Sequence, residues 1–321
     1  MGSPDHFATN APERSFLEDF AITAGDAGTD NGGGVLTIRD LRVARAALSG
    51  NNARRGSAIS STQTGSFSSG SDIIVEVIDT TVAGNTGALP LYLHDARISS
   101  TSLINNIATI GTNGGAGEFI RLHLENSTVS GNHASATGAF FASQAIVDSS
   151  TIYGNSSDGA PGGVFLLNRS VFRNSVIANN LVLGVADNCS VNPDDITSMG
   201  HNLTDTDALD CMLADASDVT VTDPLVGALG DNFGPTLTHL PAAGSPLIDS
   251  GDAVNCPARD QRGLLRPQDG DQNGSFVCDI GAVEVPEPTL VVGLVVGSIC
   301  LVGCAADRRF KARFRPSPRH I

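Results

Sequence analysis

The sequence of 321 residues contains no tryptophan, two tyrosines and a single lysine, Lys311. Because aromatic residues are scarce, we expect small branched residues to fill most of the core. The 36 glycines, with many Ser, Thr and Asn residues, disfavour long helices. Small branched residues such as Val, Ile and Ala suit thin, repeated layers. The composition therefore favours an all-β fold over a helical bundle.

Basic residues are also scarce through most of the chain. Residues 1–286 contain 13 arginines and no lysine against 32 acidic residues, a net charge of −19. Such an acidic body disfavours binding to a phosphate backbone, so no nucleic-acid partner is predicted. Residues 287–321 reverse the sign, with six basic residues against two acidic ones. A basic end after an apolar run is typical of a membrane segment.

Four cysteines precede that apolar run, and their spacing does not match a zinc site. We predict two disulfides, and with them an oxidising compartment. Neighbourhood in the sequence pairs Cys189 with Cys211 and Cys256 with Cys278, although spacing alone leaves the connectivity open. The start of the chain lacks the basic and apolar regions of a secretory signal, which counts against export.

A five-residue phrase recurs between Thr81 and Asn179. Each copy has a hydroxyl residue, a branched aliphatic residue, a variable position, a small residue and a closing asparagine. The closing residues are Asn85, Asn106, Asn132, Asn155 and Asn179. Copies this short cannot fold alone, so they must stack as coils of a parallel β-helix. We expect each asparagine to turn a corner in the left-handed conformation and to hydrogen-bond to its copies above and below.

The chain divides into six parts by composition. They are a disordered start (1–19), an amino-terminal cap (20–52), a flexible linker (53–71), the coils (72–188), a closing region (189–285) and a carboxy-terminal segment (286–321).

The amino-terminal cap is predicted to contain a short amphipathic helix over Thr37–Leu48. Ile38, Leu41, Ala44 and Leu48 would share one face of this helix, which could cover the first coil. The competing interpretation is that Ala47–Asn51 is one more copy of the phrase.

The closing region contains several distinctive blocks: Asp231–His239, Gly244–Asp252, Asp260–Gly263 and Cys278–Ala282. With the coils before them, these blocks resemble the choice-of-anchor Q region that ends a class of bacterial surface proteins. The resemblance covers residues 20–285. It implies a right-handed parallel β-helix and a place at the cell surface.

The carboxy-terminal segment joins three features in order. Pro286-Glu287-Pro288 precedes 18 uncharged residues, Thr289–Ala306, and an arginine-rich end follows. As a helix, those residues would span about 27 Å, enough for a thin bilayer. The order resembles a PEP-CTERM sorting signal. It implies a membrane anchor, an exosortase-type sorting enzyme as partner, and the β-helix outside the cell.

Four residues on the coils are candidates for catalysis. Glu125 and Asp148 each lie seven residues before their closing asparagine, and Arg97 and His123 lie nine before theirs. We expect each pair to be neighbours on one face, as a polysaccharide lyase or glycosidase would require. Charged residues on solvated coils also occur by chance. We therefore favour a non-enzymatic structural or adhesive protein with a surface polysaccharide as partner, and keep a carbohydrate-active enzyme as the alternative.

One segment of the closing region has the opening of a calcium loop. Asp269, Asp271 and Asn273 occupy its positions 1, 3 and 5, and a glycine follows at position 6. Position 12 is Ile280, where such a loop needs a bidentate glutamate. A calcium site and a polar turn closed by Cys278 are the two alternatives, and no other cofactor is predicted.

Overall fold

A computed structural model describes residues 14–61, 73–109, 114–159, 161–191, 196–207 and 210–286. No helix occurs among these residues. The chain separates into one unit that ends at Val285 and a second that begins at Pro286. The predicted membrane helix over 289–306 lies outside the described residues, as do Glu287 and Pro288.

Thirty strands, most of them short, cover the described residues. In the first half of the chain they are β1 (Ser15–Glu18), β2 (Ala21–Thr23), β3 (Val35–Leu36), β4 (Leu41–Ala44), β5 (Ala47–Ser49), β6 (Asn52–Ala53), β7 (Ile59–Ser60), β8 (Ile74–Ile78), β9 (Thr81–Ala83), β10 (Thr86–Gly87), β11 (Leu91–Ser99), β12 (Ser102–Ile104), β13 (Ile107–Ala108), β14 (Gly117–Glu125) and β15 (Thr128–Ser130). In the second half they are β16 (His133–Ala134), β17 (Phe140–Asp148), β18 (Thr151–Tyr153), β19 (Ser156–Ser157), β20 (Val164–Leu166), β21 (Ser170–Arg173), β22 (Val176–Ala178), β23 (Leu181–Val182), β24 (Val185–Ala186), β25 (Cys189–Val191), β26 (Ile196–Ser198), β27 (Leu203–Thr204), β28 (Val219–Thr220), β29 (Val226–Gly230) and β30 (Thr238–Pro241).

Three sheets run along the stack, and successive coils supply their successive strands. Sheet A follows β1-β4-β8-β11-β14-β17-β20-β25, with β3, β7, β21 and β26 attached. Sheet B follows β2-β5-β9-β12-β15-β18-β22-β27-β28, and sheet C follows β24-β23-β19-β16-β13-β10-β6. Within these orders the strands pair in parallel, except for antiparallel β23 and β24. The predicted all-β parallel solenoid is confirmed.

The core consists of apolar columns, most of whose members are aliphatic, and each coil adds one side chain to each column. In sheet B the column is the second residue of each phrase, namely Leu48, Val82, Leu103, Val129, Ile152 and Ile177. In sheet A the matching column is Val43, Val77, Ile98, Leu124, Val147 and Phe172. All of these side chains are buried. Because small branched residues fill such columns without gaps, the low aromatic content follows from the fold.

The prediction of a capping helix over Thr37–Leu48 is wrong, because this segment supplies strands β4 and β5. Leu41, Ala44 and Leu48 have the spacing of one helix face, whereas Leu41 and Val43 alternate as on a strand, so the periodicity is ambiguous. Pairing with the next coil decides for the strands: Leu48 lies opposite Val82, and Ala47–Asn51 is a further copy of the phrase.

The coils also begin earlier than the predicted boundaries. Strand β1 lies within residues 1–19, predicted as disordered, and pairs with β4. Strand β7 lies within residues 53–71, predicted as a linker, and pairs with β3 and β11. The stacking of described residues therefore starts at Ser15. Residues 1–13 and 62–72 lie outside the described residues.

The asparagine ladder is confirmed at Asn85, Asn106, Asn132 and Asn155. The Oδ1 atom of each of the last three accepts hydrogen bonds from the backbone N and the Nδ2 of the asparagine one coil earlier, at 2.9–3.0 Å. These side chains are fully buried. The amides therefore satisfy backbone donors at a corner that water does not reach.

The fifth member of the ladder is Asn180, and the prediction of Asn179 is wrong. The backbone N and Nδ2 of Asn155 both donate to Asn180 Oδ1, at 3.1 and 2.8 Å. The register pairs Val176 with Thr151, so the fifth phrase starts one residue later than predicted. The ladder also continues to Asn51 at one end and Asn188 at the other.

The left-handed residue at this corner is the one before the ladder asparagine. The φ angle is +60° at Gly84, +52° at Asn105, +65° at Gly131, +70° at Gly154 and +53° at Asn179. Glycine and asparagine tolerate this conformation best. The prediction that the ladder asparagine itself is left-handed is therefore wrong. Two consecutive residues therefore share the corner. The first must tolerate a positive φ angle, and the second must supply the side-chain amide of the ladder.

A second ladder, which the sequence analysis missed, lies at the corner between sheets A and B. Its members are Thr80, Thr101, Ser127, Ser150 and Ser175. From Thr101 onward, each hydroxyl oxygen accepts a hydrogen bond from the backbone N of the member one coil earlier, at 3.2–3.3 Å. The signal in the sequence is the hydroxyl residue that precedes each phrase. Ser175 belongs to this ladder, which is why it was mistaken for the start of the fifth phrase.

The closing region folds back along the outer face of sheet B. The first residues of three phrases hold it there: Ser102 Oγ donates to Leu237 O, Thr128 Oγ1 donates to Gln261 Oε1 at 2.7 Å, and Ala282 N donates to Thr151 Oγ1 at 3.1 Å. We call these contacts the docking seam. The hydroxyl at the start of the phrase therefore binds the closing region.

Two disulfides tie the second half of the chain together. Cys189 is bonded to Cys211 and Cys256 to Cys278, and the partners are 22 positions apart in each case. The predicted pairing is confirmed. Cys278 is fully buried beside the docking seam, so the second disulfide joins that seam to an outer loop of the closing region.

Replacing Asn106 with alanine should destabilise the fold by about 3 kcal/mol, because it leaves two buried donors of Asn85 without an acceptor. The matched control is Asn105→Gly, at an exposed left-handed position, which should change stability by less than about 0.5 kcal/mol. Chemical denaturation followed by circular dichroism measures both. Equal losses in the two variants would contradict the ladder's role.

Candidate functional site

The four predicted catalytic candidates lie on the outer face of sheet A. Strand pairing sets Arg97 opposite His123, and Glu125 opposite Asp148, as the alignment on the ladder predicted. Strands β11, β14 and β17 carry these residues, and each of these strands is nine residues long. Since outward residues alternate along a strand, neighbouring coils present their side chains in columns across the sheet.

The two carboxylates have different surroundings. Asp148 is buried and forms an ion pair with Arg173, and its Oδ1 accepts a hydrogen bond from Ser149 at 2.9 Å. Glu125 is partly exposed, and its Oε2 lies 3.8 Å from His123 Nε2. The structure therefore brings Arg97, His123 and Glu125 together on one surface and engages Asp148 with its own partner.

A groove of about 440 Å³ crosses the outer face of sheet A. We call it the arginine groove, because three arginines line it. Its polar lining residues are Asp95, Arg97, Arg121, His123, Gln144 and Arg169. Ile146 and Val171 supply an apolar strip. An adjoining groove of about 240 Å³ shares Arg97 and His123 and includes Glu76 and Glu125. Arg97 and His123 thus lie where the two grooves meet, and Glu125 lines the adjoining groove.

The arginine groove has an excess of positive charge in a chain of net charge −15. Arg121 is compensated, since its Nε lies 3.0 Å from Asp95 Oδ2. Arg97 lies 3.9 Å from Glu76, a carboxylate that also contacts Arg14 at 2.9 Å. Arg169 is exposed and forms no ion pair within the described ranges. The groove therefore offers guanidinium groups that the protein itself leaves weakly engaged.

Three groove residues escaped the sequence analysis although they share one offset. Arg121, Gln144 and Arg169 each lie eleven residues before the ladder asparagine of their coil, as does Asp95. Counting from Asn179 in place of Asn180 put Arg169 out of step with the others. Because the fifth phrase was placed one residue too early, the alignment did not show that Arg169 belongs to the same column as Arg121 and Gln144.

The predicted calcium loop forms a turn at which three carboxylates gather. Oxygen atoms of Asp249, Asp269 and Asp271 lie within 4.8 Å of one another. Asp269 and Asp271 both accept a hydrogen bond from the backbone N of Asn273, at 3.0 Å. Asp249 joins from a distant part of the sequence, which the loop pattern could not reveal. Ile280, at the twelfth position, is buried and offers no ligand. Calcium binding at this turn stays a prediction.

A buried charge cluster lies in the closing region, and two of its members are next to the docking-seam residue Gln261 in the sequence. Arg266 and Glu284 are both fully buried, with Nη1 and Oε2 3.2 Å apart, and Arg262 pairs with Asp260 at 2.7 Å. Asp279 supplies a third carboxylate, which accepts hydrogen bonds from Asp249 N and Val285 N. Burial raises the pKa of Asp279 to about 6 and that of Glu284 to about 7. Three carboxylates against two guanidinium groups leave one excess negative charge that a proton can neutralise.

Stability should therefore fall as the pH rises from about 4 to about 7, by at most about 1.4 kcal/mol per pH unit for each proton released. The pKa values of Asp279 and Glu284 are both raised in the folded state. Between about pH 4 and pH 7 the folded chain therefore holds protons that the unfolded chain has lost, and a rise in pH favours unfolding. Glu284→Gln should flatten this dependence, and Asp30→Asn, at an exposed acid, should not. Unfolding free energies measured at pH 5 and pH 8 give the comparison. If Glu284→Gln left the change of unfolding free energy between pH 5 and pH 8 the same as in the parent chain, the role of Glu284 would be contradicted.

Comparisons with protein-family models, curated proteins and solved structures found no match to this chain. Within the part of the chain that the structure describes, no helix is long and apolar enough to cross a membrane. The Thr289–Ala306 segment falls outside that part.

Proposed function

We propose that this chain is an exported, non-enzymatic solenoid with a structural or adhesive role at the cell surface. Its coils are right-handed, as the resemblance implies and as parallel crossovers prefer. The Pro286-Glu287-Pro288 motif, the apolar Thr289–Ala306 segment and the basic end direct its sorting by an exosortase-type membrane enzyme. A surface polysaccharide is its partner.

The observation that carries the proposal is the pair of disulfides, Cys189–Cys211 and Cys256–Cys278. Disulfides persist in oxidising compartments and are rare in the cytosol. The extended sheet faces add support, because a stack of coils offers a long surface for contacts with a matrix.

A non-enzymatic role is supported by the state of the two carboxylates. A glycosidase needs two carboxyl groups free to face the substrate. Asp148 is buried against Arg173, which leaves Glu125 without an available partner carboxylate on the neighbouring coil. The alternative of a carbohydrate-active enzyme draws on the adjoining groove, where Arg97, His123 and Glu125 meet.

Fractionation of the producing bacterium tests export. The full-length chain should appear in the membrane or extracellular fraction with its disulfide cysteines protected from alkylation. A variant without residues 285–306 should lose its retention at the membrane, because the apolar segment is its anchor. Recovery of the intact chain in the cytoplasm, with free thiols, would refute the proposal.

Incubation of the purified full chain with acidic and neutral polysaccharides tests for catalysis. We expect no release of reducing ends and no unsaturated products. Turnover that Glu125→Gln abolishes, and that the exposed control Asp158→Asn retains, would replace the proposal with the enzymatic alternative.

A further inference from the structure

We infer that the arginine groove binds a carboxylated polysaccharide through Arg97 and Arg169. The inference rests on the proposed function, because it names the chemical class of the surface polysaccharide. The ligand lies across the strands of sheet A, along the stack of coils, with its carboxylates on the two arginines and its less polar faces against Ile146 and Val171.

Charge complementarity supports an anionic ligand. Residues 1–286 carry a net charge of −19, yet the polar lining of this groove includes three arginines and one aspartate. Asp95 compensates Arg121, so Arg97 and Arg169 supply the excess. A guanidinium group binds a carboxylate in a bidentate, charge-assisted arrangement. An anion therefore finds cationic partners in this groove.

The distance along the stack favours a polymer over a single sugar. Arg97 belongs to the coil of Asn106, and Arg169 belongs to the coil of Asn180, three coils further on. With neighbouring strands about 4.8 Å apart, three coils separate the two positions by roughly 14 Å. One sugar ring is too short to reach both, so a ligand that engages both arginines has several units.

The position on the sheet favours a polysaccharide over an acidic peptide. Strands β11, β14 and β17 are paired on both sides, so their backbone groups are not available for an added strand. Binding must come from side chains that point out of the sheet. The amide of Gln144, the imidazole of His123 and the guanidinium groups of Arg97 and Arg169 are hydrogen-bonding partners for hydroxyl groups. A chain rich in hydroxyls uses these groups more fully than a peptide does.

Binding of the full chain to alginate, measured by calorimetry in EDTA, tests the inference. The matched probes are alginate esterified with propylene glycol, which lacks most of the charge, and poly-L-glutamate, which has carboxylates but no sugar. The test variant is Arg97→Gln/Arg169→Gln. Both side chains are exposed, so circular dichroism should show an unchanged fold. The control is Arg54→Gln, which removes one exposed arginine outside the groove.

We expect alginate to bind, and the double variant to bind about 100-fold more weakly, on the basis of about tenfold for each charge-assisted contact. The ester and poly-L-glutamate should bind at least tenfold more weakly than alginate, and Arg54→Gln should leave the affinity unchanged.

Absence of alginate binding, equal binding of the ester, equal or tighter binding of poly-L-glutamate, or an equal loss in Arg54→Gln would each overturn the inference. Cellular location separates this test from that of the proposed function. If the chain is found at the cell surface and does not bind alginate, only the inference is overturned. If the chain is found in the cytoplasm, the proposed function is overturned, whatever the groove binds.

Discussion

The satisfaction of buried backbone groups at the corners of each coil is the constraint on which this fold depends. Within a sheet, the backbone groups of one strand form hydrogen bonds with the neighbouring strand. At a corner this pairing is interrupted, and water cannot reach the buried backbone groups to replace it. The chain solves the problem twice per coil. Asparagine amides serve the corner between sheets B and C, and serine or threonine hydroxyls serve the corner between sheets A and B. A left-handed residue precedes each ladder position in the central coils.

The same ladders fix the register of everything outside them. Once Asn106 lies beneath Asn85, each residue at a given offset falls into a column with its equivalents in other coils. The outer columns of sheet A therefore follow from the ladder, and the arginine groove is one of their products. The ladder explains how a surface could gather arginines from coils that lie far apart in the sequence. It also explains why a shift of one residue, from Asn180 to Asn179, concealed Arg169.

The closing region depends on the coils in a different way. Its charged residues, including Arg266 and Glu284, are buried against each other, and its loops reach the phrase hydroxyls through Gln261 and Ala282. A buried ion pair contributes little net stability but strongly disfavours arrangements that separate its partners. We therefore regard the charge cluster as a device that fixes how the closing region folds. The hydroxyls that open three of the phrases, those of Ser102, Thr128 and Thr151, bind the docked closing region.

The sequence by itself determined the coil architecture, four of the five ladder positions, and the facing of Arg97 with His123 and of Glu125 with Asp148. These features are local or periodic, so a repeating pattern of polar and branched residues is sufficient to predict them. Tertiary structure alone decided that Thr37–Leu48 forms strands, because its apolar spacing fits two periodicities and only the neighbouring coil selects one. It also decided that Asp249 joins Asp269 and Asp271, a contact within the closing region that nothing in the repeating phrase encodes. The pairing of Arg173 with Asp148 follows from the ladder only when the fifth phrase is counted from Asn180, because both residues then lie seven positions before their ladder asparagine.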